Sequence, residues 1–63
     1  MERLLTTAEV AAITRAPEAT VRYWRHAGTG PASFRIGRRV VYREQDVQRW
    51  IEHRMLVDGV AVA

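Results

Sequence analysis

The segment Gly28-Thr29-Gly30-Pro31 divides the chain into two parts of different periodicity. Two glycines and a proline within four residues stop any helix that reaches them. Before this break the apolar residues recur at helical spacing. After it they alternate, in Phe34-Arg35-Ile36, and then cluster as the β-branched and aromatic run Val40-Val41-Tyr42. Helical spacing returns with Val47, Trp50 and Ile51 at i, i+3 and i+4. A chain of 63 residues supplies one domain at most, so both kinds of element must share a single small core.

Local signals set the boundaries. Thr6-Thr7-Ala8-Glu9 has the capping-box spacing, with Thr6 as N-cap, and Leu5 is placed to pack on Val10 as a hydrophobic staple. The first helix is predicted over Thr7–Thr14, with Val10 and Ile13 on its buried face. Arg15-Ala16 form a turn, and Pro17 suits the first position of a second helix. That helix ends near Ala27, with Gly28 as its C-terminal cap. Val21 and Trp24 are its core anchors, which leaves Ala19, Arg22, Tyr23 and His26 on or near the other face. Two short helices joined by a tight turn form a helix-turn-helix pattern.

Phe34-Arg35-Ile36 and Val40-Val41-Tyr42 then form a β-hairpin, with Gly37-Arg38-Arg39 as its turn. An isolated hairpin is marginal in water, so its apolar face is expected to lean on the helices. A third helix opens at Arg43-Glu44-Gln45-Asp46 and has His53 and Arg54 in its last turn. In so small a domain Trp24 and Trp50 are expected to be the bulk of the core rather than base-stacking surfaces. Residues 1–54 form the domain. Residues 55–63 form a tail: a frayed end, a short strand or a contact for another protomer.

Charge narrows the function. Between Ala19 and Arg43 lie six arginines (Arg22, Arg25, Arg35, Arg38, Arg39 and Arg43) and no acid. The net charge of +3 therefore conceals a polarised surface suited to a polyanion. Lysine is absent. Codon usage accounts for this as readily as a demand for the bidentate guanidinium does.

Other classes are disfavoured. There is no cysteine, and His26 and His53 have no partner at metal-ligand spacing, so no metal and no cofactor are expected. Glu44 and Asp46 are two apart and cannot face each other on a helix, and no hydroxyl has a base nearby in the pattern, so no catalytic residue is assigned. No signal peptide and no membrane span are found, and the expected location is the cytoplasm, at the nucleoid.

Several stretches together resemble the excisionase-family, MerR-like winged helix-turn-helix domain. They are Leu5-Thr6-Thr7-Ala8-Glu9-Val10-Ala11, Ala19 to Trp24, Phe34 to Arg43, Asp46-Val47 and Trp50-Ile51. The similarity runs from about Leu4 to Glu52. It implies a mainly α fold with a small β-hairpin: three short helices plus a two-stranded wing. It implies double-stranded DNA as partner, with the second helix in the major groove and the wing on backbone or minor groove. It also implies a phage excisionase, a recombination directionality factor that binds cooperatively and bends attachment-site DNA beside an integrase partner. A small transcriptional regulator uses the same domain. In the resemblance, Arg22 and Tyr23 match a phosphate-contacting pair, and Arg38 and Arg39 match the wing tip. Two positions depart from the pattern: Arg15 stands where a glycine is usual, and Pro17 where Ser or Thr is. The chain ends soon after the third helix, so no small-molecule effector is expected.

The candidate DNA-binding residues are Ala19, Thr20, Arg22, Tyr23, Arg25, His26, Arg35, Arg38 and Arg39. Arg43 is left to cap the third helix or pair with a nearby acid. A protein–protein adaptor whose arginines meet an acidic partner is the reading from another class; the salt dependence of duplex binding separates it from DNA recognition.

Overall fold

The computed structural model describes residues 2–58. In chain order the elements are β1 (Leu4–Thr6), α1 (Thr7–Thr14), α2 (Glu18–Ala27), β2 (Phe34–Ile36), β3 (Arg39–Arg43) and α3 (Glu44–Asp58). The fold is mainly helical with a small antiparallel sheet, as a winged helix-turn-helix requires.

The sheet has three strands rather than two, in the order β1-β3-β2. The three residues before α1, of which sequence patterning marks only a staple and a cap, pair with β3 in the register Leu4–Arg43, Leu5–Tyr42 and Thr6–Val41. On its other edge β3 pairs Val41 with Phe34, Val40 with Arg35 and Arg39 with Ile36. Side chains alternate between faces along a strand. Leu5, Tyr42, Val40 and Arg35 therefore share the helix side, while Leu4, Thr6, Val41, Phe34, Ile36 and Arg39 share the outer side. This overturns the expected orientation of β2. Phe34 and Ile36 point away from the core and are 41% and 54% exposed. Alternation shows that one face of a strand is apolar. It does not show which face the helices cover.

The core is Leu5, Val10, Ala11, Val21, Tyr42 and Val47, with Ala16, Trp24, Val40 and Ile51 packed at its edge. Tyr42 is the largest fully buried side chain. The tryptophans are thus not the bulk of the core. Both are half-buried, with ring centroids 4.9 Å apart and planes tilted by 43°. The Trp50 indole N–H donates to the Thr29 carbonyl at 3.0 Å, so this ring ties α3 to the loop after α2. Ile13 is also displaced from its expected place. It is 47% exposed and lines the groove between α1 and α3, while Ala11 lies in the core beside Val10.

Both helices of the helix-turn-helix begin and end by local rules. At the start of α1, Thr6 Oγ1 accepts from the Glu9 N–H at 3.1 Å, and Glu9 Oε1 accepts from the Thr6 N–H at 2.8 Å, completing the capping box. Pro17 is the N-cap of α2 rather than its first residue, with ψ at 149°. The helices close with the same motif. Ala16 N–H reaches Ala11 O and Arg15 N–H reaches Ala12 O; Thr29 N–H reaches Trp24 O and Gly28 N–H reaches Arg25 O. These are Schellman closures, whose pivot residue is left-handed. Gly28 takes that position at φ 76° without strain, whereas Arg15 takes it at φ 60° with a Cβ.

The third helix continues to Asp58, one turn past Arg54, so its last turn carries Met55 to Asp58 and no basic residue. The proposed tail therefore starts as helix, and the expectation for residues 59–63 lies outside the described residues. No helix among the described residues is long and apolar enough to cross a membrane.

Candidate nucleic-acid interface

Val21, fully buried, fixes the rotation of α2 about its axis. With that face inward, Glu18, Ala19, Arg22, Tyr23 and His26 are all exposed, Tyr23 at 65%. Thr20 and Arg25 flank the buried face on either side and are half-buried. An exposed helix face with a cation, a phenol and an imidazole offers hydrogen-bond donors to phosphate oxygens and base edges alike.

Arg25 has a structural task beyond charge. Its Nε donates to Ser33 Oγ at 2.9 Å, fastening α2 to the loop that enters β2. A guanidinium has five N–H donors, so its terminal nitrogens remain for other partners. The same loop is pressed close to α2 at Gly30, where a Cβ would come within 2.7 Å of Trp24 Cβ. With the Trp50–Thr29 bond, these contacts set the hairpin's position relative to α2.

At the hairpin tip Gly37 has φ 63°, while Arg38 has ordinary negative φ. Glycine at the first central position of a two-residue loop is the signature of a type II′ turn, whose twist matches that of the strands. The loop is Gly37-Arg38 alone, and Arg39 is the first residue of β3, paired with Ile36. Arg38 therefore occupies the tip as its only charged residue. Arg39 stands on the outer face of the sheet, and Arg35 on the helix side beside Val40. All three are exposed, and no carboxylate among the described residues pairs with them.

The two cationic elements are neighbours. Arg39 and Glu18 line one shallow hollow of about 340 Å³ with Thr6 and Thr7, where the starts of α1 and α2 meet β3. Glu18 also accepts a hydrogen bond from Arg22 at 3.4 Å. The hollow thus links the exposed start of α2 to the first residues of β3. Glu18 is a member of this surface that sequence patterning places only at the helix dipole. Its spacing of four from Arg22 is the signal that could have found it.

Arg43 belongs elsewhere. Its Nε donates to Glu2 Oε2 at 2.6 Å, and Glu2 Oε1 lies 3.5 Å from the Gln45 backbone N–H. The Arg43 hydrogen bond holds the Glu2 carboxyl below its ordinary value, and the Arg43 guanidinium is raised in return. Arg43 is thus a brace across the β1–β3 end of the sheet. Its partner comes from the far end of the sequence, not from the acids next to it.

A family model described as a helix-turn-helix domain matches residues 4–55. The chain belongs to the helix-turn-helix domain family. No curated protein and no solved structure matches the chain. Within this helix-turn-helix domain, α2 is the second helix of the motif, the position that in such motifs enters the major groove, and DNA is the partner that the family supports. The arginine-bearing face of α2 and the hairpin beside it are the parts of the domain suited to that partner.

Proposed function

We propose that this protein is an excisionase-type accessory factor, a sequence-specific duplex binder that directs recombination by occupying adjacent sites and bending the DNA between them. It acts by binding, with no catalytic step. The observation that carries the reading is the joined cationic surface. Glu18, which Arg22 on α2 holds, and Arg39 beside the hairpin tip line one hollow, and Arg38 extends from the tip. A helix docked in the major groove and a hairpin reaching the adjacent backbone clamp the duplex from two elements.

Cooperative binding follows from size. A single small module buries roughly 600–1,000 Å² on DNA, too little for tight specific occupancy without neighbours. Two exposed apolar surfaces are available for protein contacts. One is the last turn of α3, where Leu56 is 80% exposed beside Met55 and Val57; the other is the outer sheet face with Leu4, Phe34 and Ile36. Contacts of this kind would serve a neighbouring copy or the integrase.

The test is a gel-shift titration on attachment-site DNA, with and without the integrase encoded nearest the gene. A ladder of stepwise complexes that the integrase reinforces supports the proposal. Binding confined to a promoter operator and indifferent to integrase assigns the protein to transcriptional regulation instead.

A further inference from the structure

Glu18 is the only acid in α2, and it lies on the exposed face that Arg22 occupies. As the first residue of the helix, its carboxylate favours the dipole. Any first-turn acid supplies that benefit, yet on a phosphate-binding surface a carboxylate repels the ligand. The surroundings give it a more specific use. Its Oε1 is held by Arg22 Nη1 at 3.4 Å, and it opens onto the hollow it shares with Arg39. Arg22 thus offsets the repulsion, and the carboxylate stays exposed beside the hollow.

A recognition helix presents its N-terminal residues to base edges. There a carboxylate can only accept hydrogen bonds. In the major groove cytosine offers the N4 amine with no acceptor on its own edge. Adenine offers the N6 amine beside the acceptor N7, which repels the second carboxylate oxygen, guanine offers the acceptors N7 and O6, and thymine offers O4. We propose that Glu18 is a specificity residue that accepts from the N4 amine of a cytosine and disfavours guanine and thymine at that position by oxygen–oxygen and oxygen–nitrogen repulsion. The proposal rests on the DNA-binding reading and adds a base to it. Arg22 holds the carboxylate in the free protein and remains able to reach phosphate once DNA is bound.

The experiment is selection of binding sites from a randomised duplex library by the wild-type protein, Glu18→Gln and Glu18→Ala, each checked for folding by circular dichroism. Affinities for the selected site, for its single-base variants and for a random duplex are then measured at one salt concentration. Wild type should require cytosine at one position by roughly 10- to 100-fold. Glu18→Gln should move that preference to adenine, because an amide matches adenine N6 and N7. Glu18→Ala should relax it and bind random duplex more tightly. Identical base preferences in all three proteins would overturn the Glu18 assignment while leaving DNA binding intact. A general gain in affinity with unchanged preferences would overturn it equally, since the residue would then act by charge alone. Failure of the wild type to bind any duplex would remove the DNA-binding reading and this proposal together.

Discussion

Arg15 is the residue whose replacement should most clearly strengthen this domain. It closes α1 in the position that Gly28 fills for α2, with φ 60° and ψ 35°. Left-handed backbone costs a residue with a Cβ roughly 1–2 kcal/mol. Arg15→Gly removes that strain, but glycine loses more freedom on folding, which returns about 0.4–1 kcal/mol. The net gain is roughly 0.5–1 kcal/mol. In a domain of this size 1 kcal/mol moves Tm by about 4–8 °C, so the expected rise is roughly 2–8 °C. Thermal unfolding followed by circular dichroism measures it. The Arg15 guanidinium makes no hydrogen bond or ion pair among the described residues, so little else changes. Arg15→Ala is the control: it removes the same charge, keeps the Cβ and should show no such rise. An Arg15→Gly variant no more stable than the Arg15→Ala variant would refute the reasoning, because the left-handed turn would then carry no strain.

Three further outcomes are expected. Gly30→Ala pushes a methyl to within 2.7 Å of Trp24 Cβ, and such overpacking should cost about 1–3 kcal/mol in a urea titration; unchanged stability would show that the loop is not pressed on α2. Trp50→Ala should cost roughly 2–3 kcal/mol, below the roughly 3–5 kcal/mol of a fully buried tryptophan, because its ring is only half-buried; a loss at the upper end would return Trp50 to the core. Glu2 and Glu9 are both held below the ordinary carboxyl value of 4.5, Glu2 chiefly by the Arg43 side chain and Glu9 chiefly by the Thr6 backbone N–H. A depressed folded-state value means that the unfolded chain takes up protons first as pH falls. Their contribution is therefore complete above 4.5 and is lost below it. Tm should stay level from neutral pH to about pH 5 and then drop, and Glu2→Gln with Glu9→Gln should blunt the drop; an identical acid limb in that variant would contradict the assignment.

What the sequence disclosed depended on the range of each interaction. The α1 capping box and the Gly28 closure involve residues three to five apart, and local pattern is enough to find them. The β1 strand needs a partner near the other end of the domain, and its three residues carry no alternation of their own. The inward and outward faces of β2 depend on which side the helices cover, a tertiary choice that Phe34 and Ile36 cannot report. Trp50 looked like core because a large aromatic falls on an apolar stripe, yet its indole N–H needs a partner and finds it at the loop edge. At the interface, exposure of Arg22 and Tyr23 followed from Val21 and Trp24 taking the other face. The Arg25–Ser33 fastening and the meeting of Glu18 with Arg39 arise from how the hairpin folds back on α2. Arg43, counted within the acid-free window, is drawn off by Glu2, a residue distant in sequence and adjacent in the sheet.

The central claim is that this arginine surface binds duplex DNA through phosphates with the hairpin taking part. Fluorescence anisotropy of a labelled duplex across a salt series tests it most directly, for the wild type and for Arg38→Ala with Arg39→Ala. Log affinity should fall steeply and linearly with log salt for the wild type, and the double variant should bind all sequences more weakly with a slope shallower by about 0.9 per lost phosphate contact. Wild-type affinity independent of salt, or a double variant with unchanged affinity and slope, would contradict the account.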